Sequence, residues 1–61
     1  MTRKDYVRIA RGINLVYSEQ GSRSGKLLVE DIANTIAAEL QDDNPLFNWV
    51  RFTDACTKEG E

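Results

Sequence analysis

The chain has 61 residues, of which 41% are hydrophobic and 30% are charged, and its formal net charge is −2. These values are typical of an ordinary globular protein and allow one small domain, 1–61. A chain of this size buries only about 60% of the surface that its unfolded form exposes, so marginal stability is expected. Because small scaffolds often gain stability by self-association, a homodimer is one arrangement that the sequence leaves open.

Composition excludes several kinds of chemistry. Cys56 is the single cysteine and the chain has no histidine, which excludes an internal disulfide and a zinc site of the Cys/His type. No nucleophile has a histidine base, so we predict that the protein is not an enzyme and has no cofactor. No apolar run approaches the roughly 20 residues of a membrane span. With a free thiol and no secretory signal, the chain is predicted to be cytoplasmic.

A first helix is predicted over about 3–20. Thr2 and Asp5 have the spacing of a capping box, and Gly21 is a natural stop. The apolar residues that follow recur at the helical period, and they are Tyr6, Ile9, Ala10, Ile13, Val16 and Tyr17. Gly12 costs this helix about 1 kcal/mol relative to alanine, which predicts either the close approach of another helix or a bend.

A second helix is predicted over about 26–42, with Ser24 as its cap. Its apolar stripe consists of Leu28, Val29, Ile32, Ala33, Ile36, Ala37 and Leu40. The residue before a proline is disfavoured in a helix, so the helix should end before Asn44-Pro45.

A short third helix is predicted over about 46–57. Asn48 can cap it, with Phe47 and Phe52 as the pair of a hydrophobic staple; alternatively, Asn44 is the cap and Pro45 the first helical residue. The tail from Lys58 to Glu61 is expected to be frayed. The predicted fold is therefore all-α, an antiparallel helical hairpin with the third helix packed on it.

The stretch QGSRSGKLL, 20–28, resembles a phosphate-binding loop in composition only. The motif G-x-x-x-x-G-K-[ST] would need glycine where Gln20 stands and a hydroxyl residue where Leu27 stands. The preceding segment is also predicted to be a helix and not a strand. The stretch is therefore predicted to be a turn between two helices.

Lys4, Arg8 and Arg11 lie on one side of the first helix and form a candidate basic face. This face could bind an acidic protein surface or nucleic acid. Alternatively, in an antiparallel hairpin, the end of the second helix lies beside the start of the first. Its carboxylates Glu39, Asp42 and Asp43 would then face Arg3, Lys4 and Arg8 and compensate their charge. The net charge of −2 makes compensation or a protein partner the preferred interpretation, ahead of nucleic acid.

Leu46, Trp49 and Val50 are candidate protein-interaction residues. They cannot all be buried together with Phe47 and Phe52 in so small a chain, and tryptophan is enriched at the energetic centres of interfaces. Cys56 shares a helical face with Phe52 and is predicted to be a small core residue.

Segments near both ends of the chain have a pattern that resembles one found in other proteins. These are Met1-Thr-Arg-Lys-Asp-Tyr-Val7 with Ile9-Ala10, and Asp43-Asn-Pro-Leu-Phe47 with Arg51-Phe52 and Ala55-Cys56; Ile32-Ala33 and Ile36-Ala37 lie between them. In these segments the chain resembles a group of short bacteriophage and prophage open reading frames, from which it departs at Asn48-Trp49 and Thr53. The resemblance implies a phage or host-cytoplasm context and no activity.

The function predicted from the sequence is that of a small interaction protein that binds and modulates a host or phage protein. The alternative is a small nucleic-acid-binding module that uses the basic face of the first helix. The identity of the partner is open.

Overall fold

A computed structural model describes residues 2–59. It contains three helices, α1 (Arg3–Glu19), α2 (Arg23–Asp43) and α3 (Trp49–Cys56), and the described residues include no strand. The first two helices form an antiparallel hairpin, and α3 packs against both of them. The prediction of an all-α hairpin with a short third helix is confirmed.

α1 begins at the predicted capping box. The carboxylate of Asp5 accepts a hydrogen bond from the backbone N–H of Thr2 at 3.0 Å, which satisfies a donor that the helix itself cannot pair. That hydrogen bond also lowers the pKa of Asp5. The helix ends at Glu19, one residue before the predicted end, and the side-chain amide of Gln20 donates to the carbonyl of Val16 at 3.0 Å.

The turn between α1 and α2 is shorter than predicted. α2 begins at Arg23 and not near residue 26, because Ser22 is its cap: the Ser22 hydroxyl accepts from the backbone N–H of Gly25 at 3.1 Å. Ser24, the predicted cap, lies inside the first helical turn. The stretch 20–28 is therefore a helix end, a short link and the start of the next helix.

A tight turn separates α2 from α3. The Phe47 N–H donates to the Asn44 carbonyl at 2.9 Å, and Pro45 occupies the second position of this turn, which proline favours. α3 begins at Trp49, later than the predicted residue 46. Of the two predicted caps the structure selects Asn48, whose side-chain oxygen accepts from the N–H of Arg51 at 3.1 Å.

The core forms where small residues leave a trough between the two helices of the hairpin. Side chains from α3 and from the turn before it fill this trough. Ala10, Ala33 and Ala37 are almost completely buried, and Phe47, Phe52 and Cys56 pack against them. The rings of Phe47 and Phe52 lie 5.4 Å apart, and the Tyr6 ring meets Phe47 edge-on at 4.6 Å. The predicted staple pair and the core position of Cys56 are confirmed.

The predicted apolar stripes are only partly buried. Ile9, Val16, Leu28 and Ile32 remain between 37% and 62% exposed. The reason is geometric: α3 covers one side of the hairpin only, so the aliphatic residues on the other side have no neighbouring element. Each stripe is wider than the surface that the other two helices cover.

The first part of the predicted frayed tail contacts α1. The side-chain amide of Asn14 donates to the carbonyls of Cys56 and Lys58, at 3.0 and 2.8 Å. These bonds satisfy carbonyls that the end of α3 leaves free. Gly60 and Glu61, the remainder of the predicted tail, lie outside the described residues.

Gly12 does not mark a close approach within the chain. A Cβ built at this position would have no atom of another segment within 4 Å, and α1 is continuous through it. The prediction that a second helix of the chain approaches closely there is therefore wrong. What remains is the cost of glycine in the middle of a helix.

We expect Gly12→Ala to stabilise the protein by about 0.5–1 kcal/mol, because alanine removes the entropic cost of glycine and meets no steric obstacle. For a domain of this size, 1 kcal/mol corresponds to a rise in Tm of about 4–8 °C. Thermal unfolding followed by circular dichroism measures the shift. A lower Tm would contradict the open space found around Gly12.

Candidate interaction surface

An apolar groove lies between the first half of α1 and α3. Its volume is about 520 Å³, within the range of known ligand-binding clefts. The residues that line it are Arg3, Tyr6, Val7, Ala10, Asn44, Leu46, Phe47, Asn48, Arg51, Phe52 and Ala55. The buried aromatic residues of the core form its floor, so the same packing that holds α3 in place also shapes the groove.

The two charged residues of the groove are both arginines. Arg3 comes from α1 and Arg51 from α3, and both side chains are exposed. Val7 lies between the two arginines and the basic face. Lys4, three residues before Val7, and Arg11, four residues after it, are its neighbours on the surface of α1. The groove and the basic face therefore form one continuous surface.

The basic face is exposed and does not form the predicted ion pairs with α2. Within residues 2–59 the one ion pair closer than 4.0 Å joins Lys26 and Glu59, at 3.7 Å. Arg8 lies two residues from both Tyr6 and Ala10, which places it about 200° around the helix from the buried side. Lys4, Arg8 and Arg11 thus point away from α2, and the expected compensation by Glu39, Asp42 and Asp43 is not found at contact distance.

The three candidate interaction residues near α3 do not form one patch. Leu46 is 93% exposed and lines the groove. Trp49 and Val50 are about half exposed but do not line it. Trp49 lies two residues from Arg51, about 200° around α3, so it belongs to the opposite flank of that helix. Leu46 is the candidate that the structure joins to the basic face.

A second cluster attaches the end of the chain to the turn of the hairpin. The Tyr17 hydroxyl donates to the Glu59 carboxylate at 2.8 Å and lies 3.4 Å from that of Glu30. The ammonium of Lys26, which pairs with Glu59, lies 5.2 Å from the centroid of the Tyr17 ring. These contacts combine a charge-assisted hydrogen bond with a cation–π interaction.

The titration of Tyr17 reflects this cluster. The hydrogen bond to Glu59 raises the pKa of Tyr17 from 10.0 to about 12, and loss of hydration and the charges of Glu59 and Glu30 act in the same direction. Each effect favours the neutral phenol, because a phenolate could not donate to a carboxylate and would be repelled by it.

The Cys56 thiol is not set up for reaction. Its side chain is completely buried, and burial raises the pKa of the thiol to about 11. Reactive cysteines instead have lowered pKa values and partial exposure. Within residues 2–59, no group of acidic, cysteine or histidine side chains is arranged to hold a metal ion.

No helix of the described part of the chain is long and apolar enough to cross a membrane. Comparison of the chain with protein-family models, with curated proteins and with solved structures finds no match.

Sequence reasoning missed two features of the structure. Arg3 and Arg51 were not recognised as members of one groove, because they are far apart in the chain and meet only when α3 docks. Asn14 was missed as the residue that holds the end of α3. Its signal was present in the sequence, since it is a polar residue next to Ile13 at the edge of the apolar stripe.

We expect stability to fall with increasing alkalinity between about pH 10 and pH 12 through Tyr17. The pKa of Tyr17 is higher in the folded protein than in the unfolded chain, so the folded protein keeps the phenol proton to a higher pH. The contribution of Tyr17 to the free energy of unfolding is therefore complete below about pH 10 and is lost as the pH rises to about 12. Urea unfolding of the wild type and Tyr17→Phe tests this. The difference in the free energy of unfolding between the wild type and Tyr17→Phe should become smaller over that pH range, and a constant difference would contradict the prediction. Cys56 is present in both proteins, so its titration does not affect the difference.

Proposed function

We propose that the protein is a small non-enzymatic interaction protein that binds a segment of a partner protein in the α1–α3 groove. The observation that carries this proposal is the combination, in one surface, of an apolar groove of about 520 Å³ with arginines on both sides of it. An amphipathic segment of a partner can lay apolar side chains into such a groove.

The chemistry of the groove defines the partner segment. Leu46 and Val7 are exposed aliphatic residues that call for apolar anchors, while Arg3 and Arg51 call for carboxylates beside those anchors. The adjoining basic face extends the positive charge beyond the groove. We therefore propose an apolar segment flanked by aspartate or glutamate. In the phage and cytoplasmic context that the sequence resemblance suggests, the partner would be a host or phage protein.

Selection from a random-sequence peptide library on the immobilised protein tests this proposal. We expect enrichment of peptides that combine aromatic or aliphatic residues with carboxylates. Arg51→Glu should weaken their binding up to about fivefold, since an exposed ion pair contributes up to about 1 kcal/mol. Leu46→Ser should weaken it about tenfold through lost apolar contact. Both residues are exposed, so neither change should reduce helicity.

Two variants serve as matched controls. Arg23→Glu reverses an exposed charge at the turn of the hairpin, outside the groove, and Val50→Ser removes an exposed aliphatic residue of α3 that does not line it. Both should bind the selected peptides like the wild type. The proposal fails if the enriched peptides are basic, or if the groove variants bind as well as the controls.

A second candidate is nucleic-acid binding through the basic face. It is supported by the exposure of Lys4, Arg8 and Arg11, which form no ion pair closer than 4.0 Å with any of residues 2–59. The net charge of −2 opposes it. Fluorescence anisotropy with labelled duplex and single-stranded DNA at low salt distinguishes the two. Nucleic-acid binding should decrease steeply with salt and be lost in Arg8→Glu/Arg11→Glu, yet be unaffected by Leu46→Ser. No change in anisotropy would remove this candidate.

A further inference from the structure

The side of the hairpin opposite α3 carries an uncovered aliphatic surface. Three residues of α1 and three of α2 form it at helical spacing, and we call them the aliphatic face: Ile9, Ile13 and Val16, with Leu28, Ile32 and Ile36. Ile13 and Ile36 are partly buried against the core, while the other four are 37–62% exposed.

The position of this face follows from the contacts of α3. Arg3, Val7 and Asn14 mark the side of α1 that meets α3 or the groove. Ile9 is two residues from Val7 and therefore about 200° around the helix from it. The aliphatic face and the groove thus lie on different sides of the molecule, and occupation of one leaves the other free.

We propose that the aliphatic face binds the aliphatic face of a second copy of this chain, with the turn of each hairpin placed at the open end of the other. Two hairpins joined in this way form a four-helix arrangement of a common kind. The contact is isologous, as in most homodimers, because each copy contributes the same surface.

The whole side of the hairpin that carries the aliphatic face fits a second hairpin better than a single helix. Helices of 17 and 21 residues are about 25 and 31 Å long and about 10 Å wide. Side by side they offer a footprint of roughly 500–600 Å², and the corrugated surface exceeds the footprint. A standard interface buries about 800 Å² per partner. One partner helix would cover only part of a face that is two helices wide.

Charge selects the orientation of the second copy. The centre of the face is uncharged, and its helical stripes continue into Asp5, Glu39 and Asp43 at the open end of the hairpin. At the turn end they continue into Gln20 and Ser24, which are uncharged, and into one carboxylate, Glu19, three residues after Val16. With both turns at the same end, six carboxylates would meet. With the turns at opposite ends, the three carboxylates of each copy face the single carboxylate at the turn of the other, so fewer like charges meet.

The core gives a reason for such an association. Among residues 2–59, ten large apolar side chains are exposed, while the eight buried hydrophobic residues include three alanines. So small a core in a chain without a disulfide leaves little stability. A dimer buries the aliphatic face and makes stability depend on protein concentration.

Sedimentation equilibrium over micromolar to millimolar concentrations tests the proposal on the whole chain. The expected mass at high concentration is twice the 6.9 kDa of one chain. Ile32→Lys should raise the dissociation constant at least about tenfold, because a charge would enter an apolar contact. Circular dichroism should show unchanged helicity, since Ile32 is half exposed and lysine favours helices.

Leu15→Lys and Leu27→Lys are the matched controls. Each replaces an exposed leucine of the same two helices, 62% and 52% exposed, that lies outside the aliphatic face. Both should dimerise like the wild type. A monomeric mass at every concentration, or equal weakening by the controls, would overturn the proposal.

Disulfide cross-linking tests the orientation. In the proposed dimer, Ser24 of one copy lies near Glu39 of the other, and the two copies of Ser24 are roughly 25 Å apart. Oxidation of mixed Ser24→Cys and Glu39→Cys proteins should join one to the other, whereas Ser24→Cys alone should stay uncross-linked, because a disulfide needs Cα atoms within about 7 Å. Efficient cross-linking of Ser24→Cys alone would overturn the orientation. Cys56 is buried and does not interfere.

Discussion

The docking of Phe47 and Phe52 onto the alanine trough of the hairpin is the interaction on which the other features of this structure depend. Ala10, Ala33 and Ala37 are too small to fill the space between two helices, and the aromatic rings enter that space from α3 and its preceding turn. Aromatic residues bury 150–250 Å² each, so two of them contribute a large share of so small a core. Without α3, the three alanines of the hairpin would be exposed and the hairpin would lack a hydrophobic core.

This docking produces two unlike surfaces. On the α3 side it leaves a groove whose floor is the aromatic core and whose charged residues are arginines. On the other side it leaves the aliphatic face uncovered, with three carboxylates at its open end and one at its turn end. Because the third helix packs on one side of the hairpin, that side is covered and the other side is exposed. We infer that this asymmetry lets one small chain self-associate on one side and bind a partner on the other.

Hydrogen bonds to the end of the chain secure the docking of α3. Asn14 and Tyr17, one helical turn apart on α1, hold the carbonyls after α3 and the carboxylate of Glu59. These bonds are made with neutral donors, and the pKa of Tyr17 is raised because its proton is needed there. The third helix is thus fixed at its start by ring packing and at its end by polar contacts.

The sequence alone determined the three helices, the capping box at Thr2–Asp5 and the staple pair, because these depend on neighbours a few residues apart. It left Asn44 and Asn48 as alternative caps of α3, and its prediction of Ser24 as the cap of α2 was wrong, since Ser22 and Ser24 both precede suitable helical residues. Nor could it tell which part of each apolar stripe is buried: Ile9 and Ala10 are adjacent in the chain and both apolar, but only Ala10 packs in the core with the residues of α3. Only the tertiary structure decided this, and with it the union of Arg3, Leu46 and Arg51 in one groove, because burial and proximity depend on where a distant segment packs.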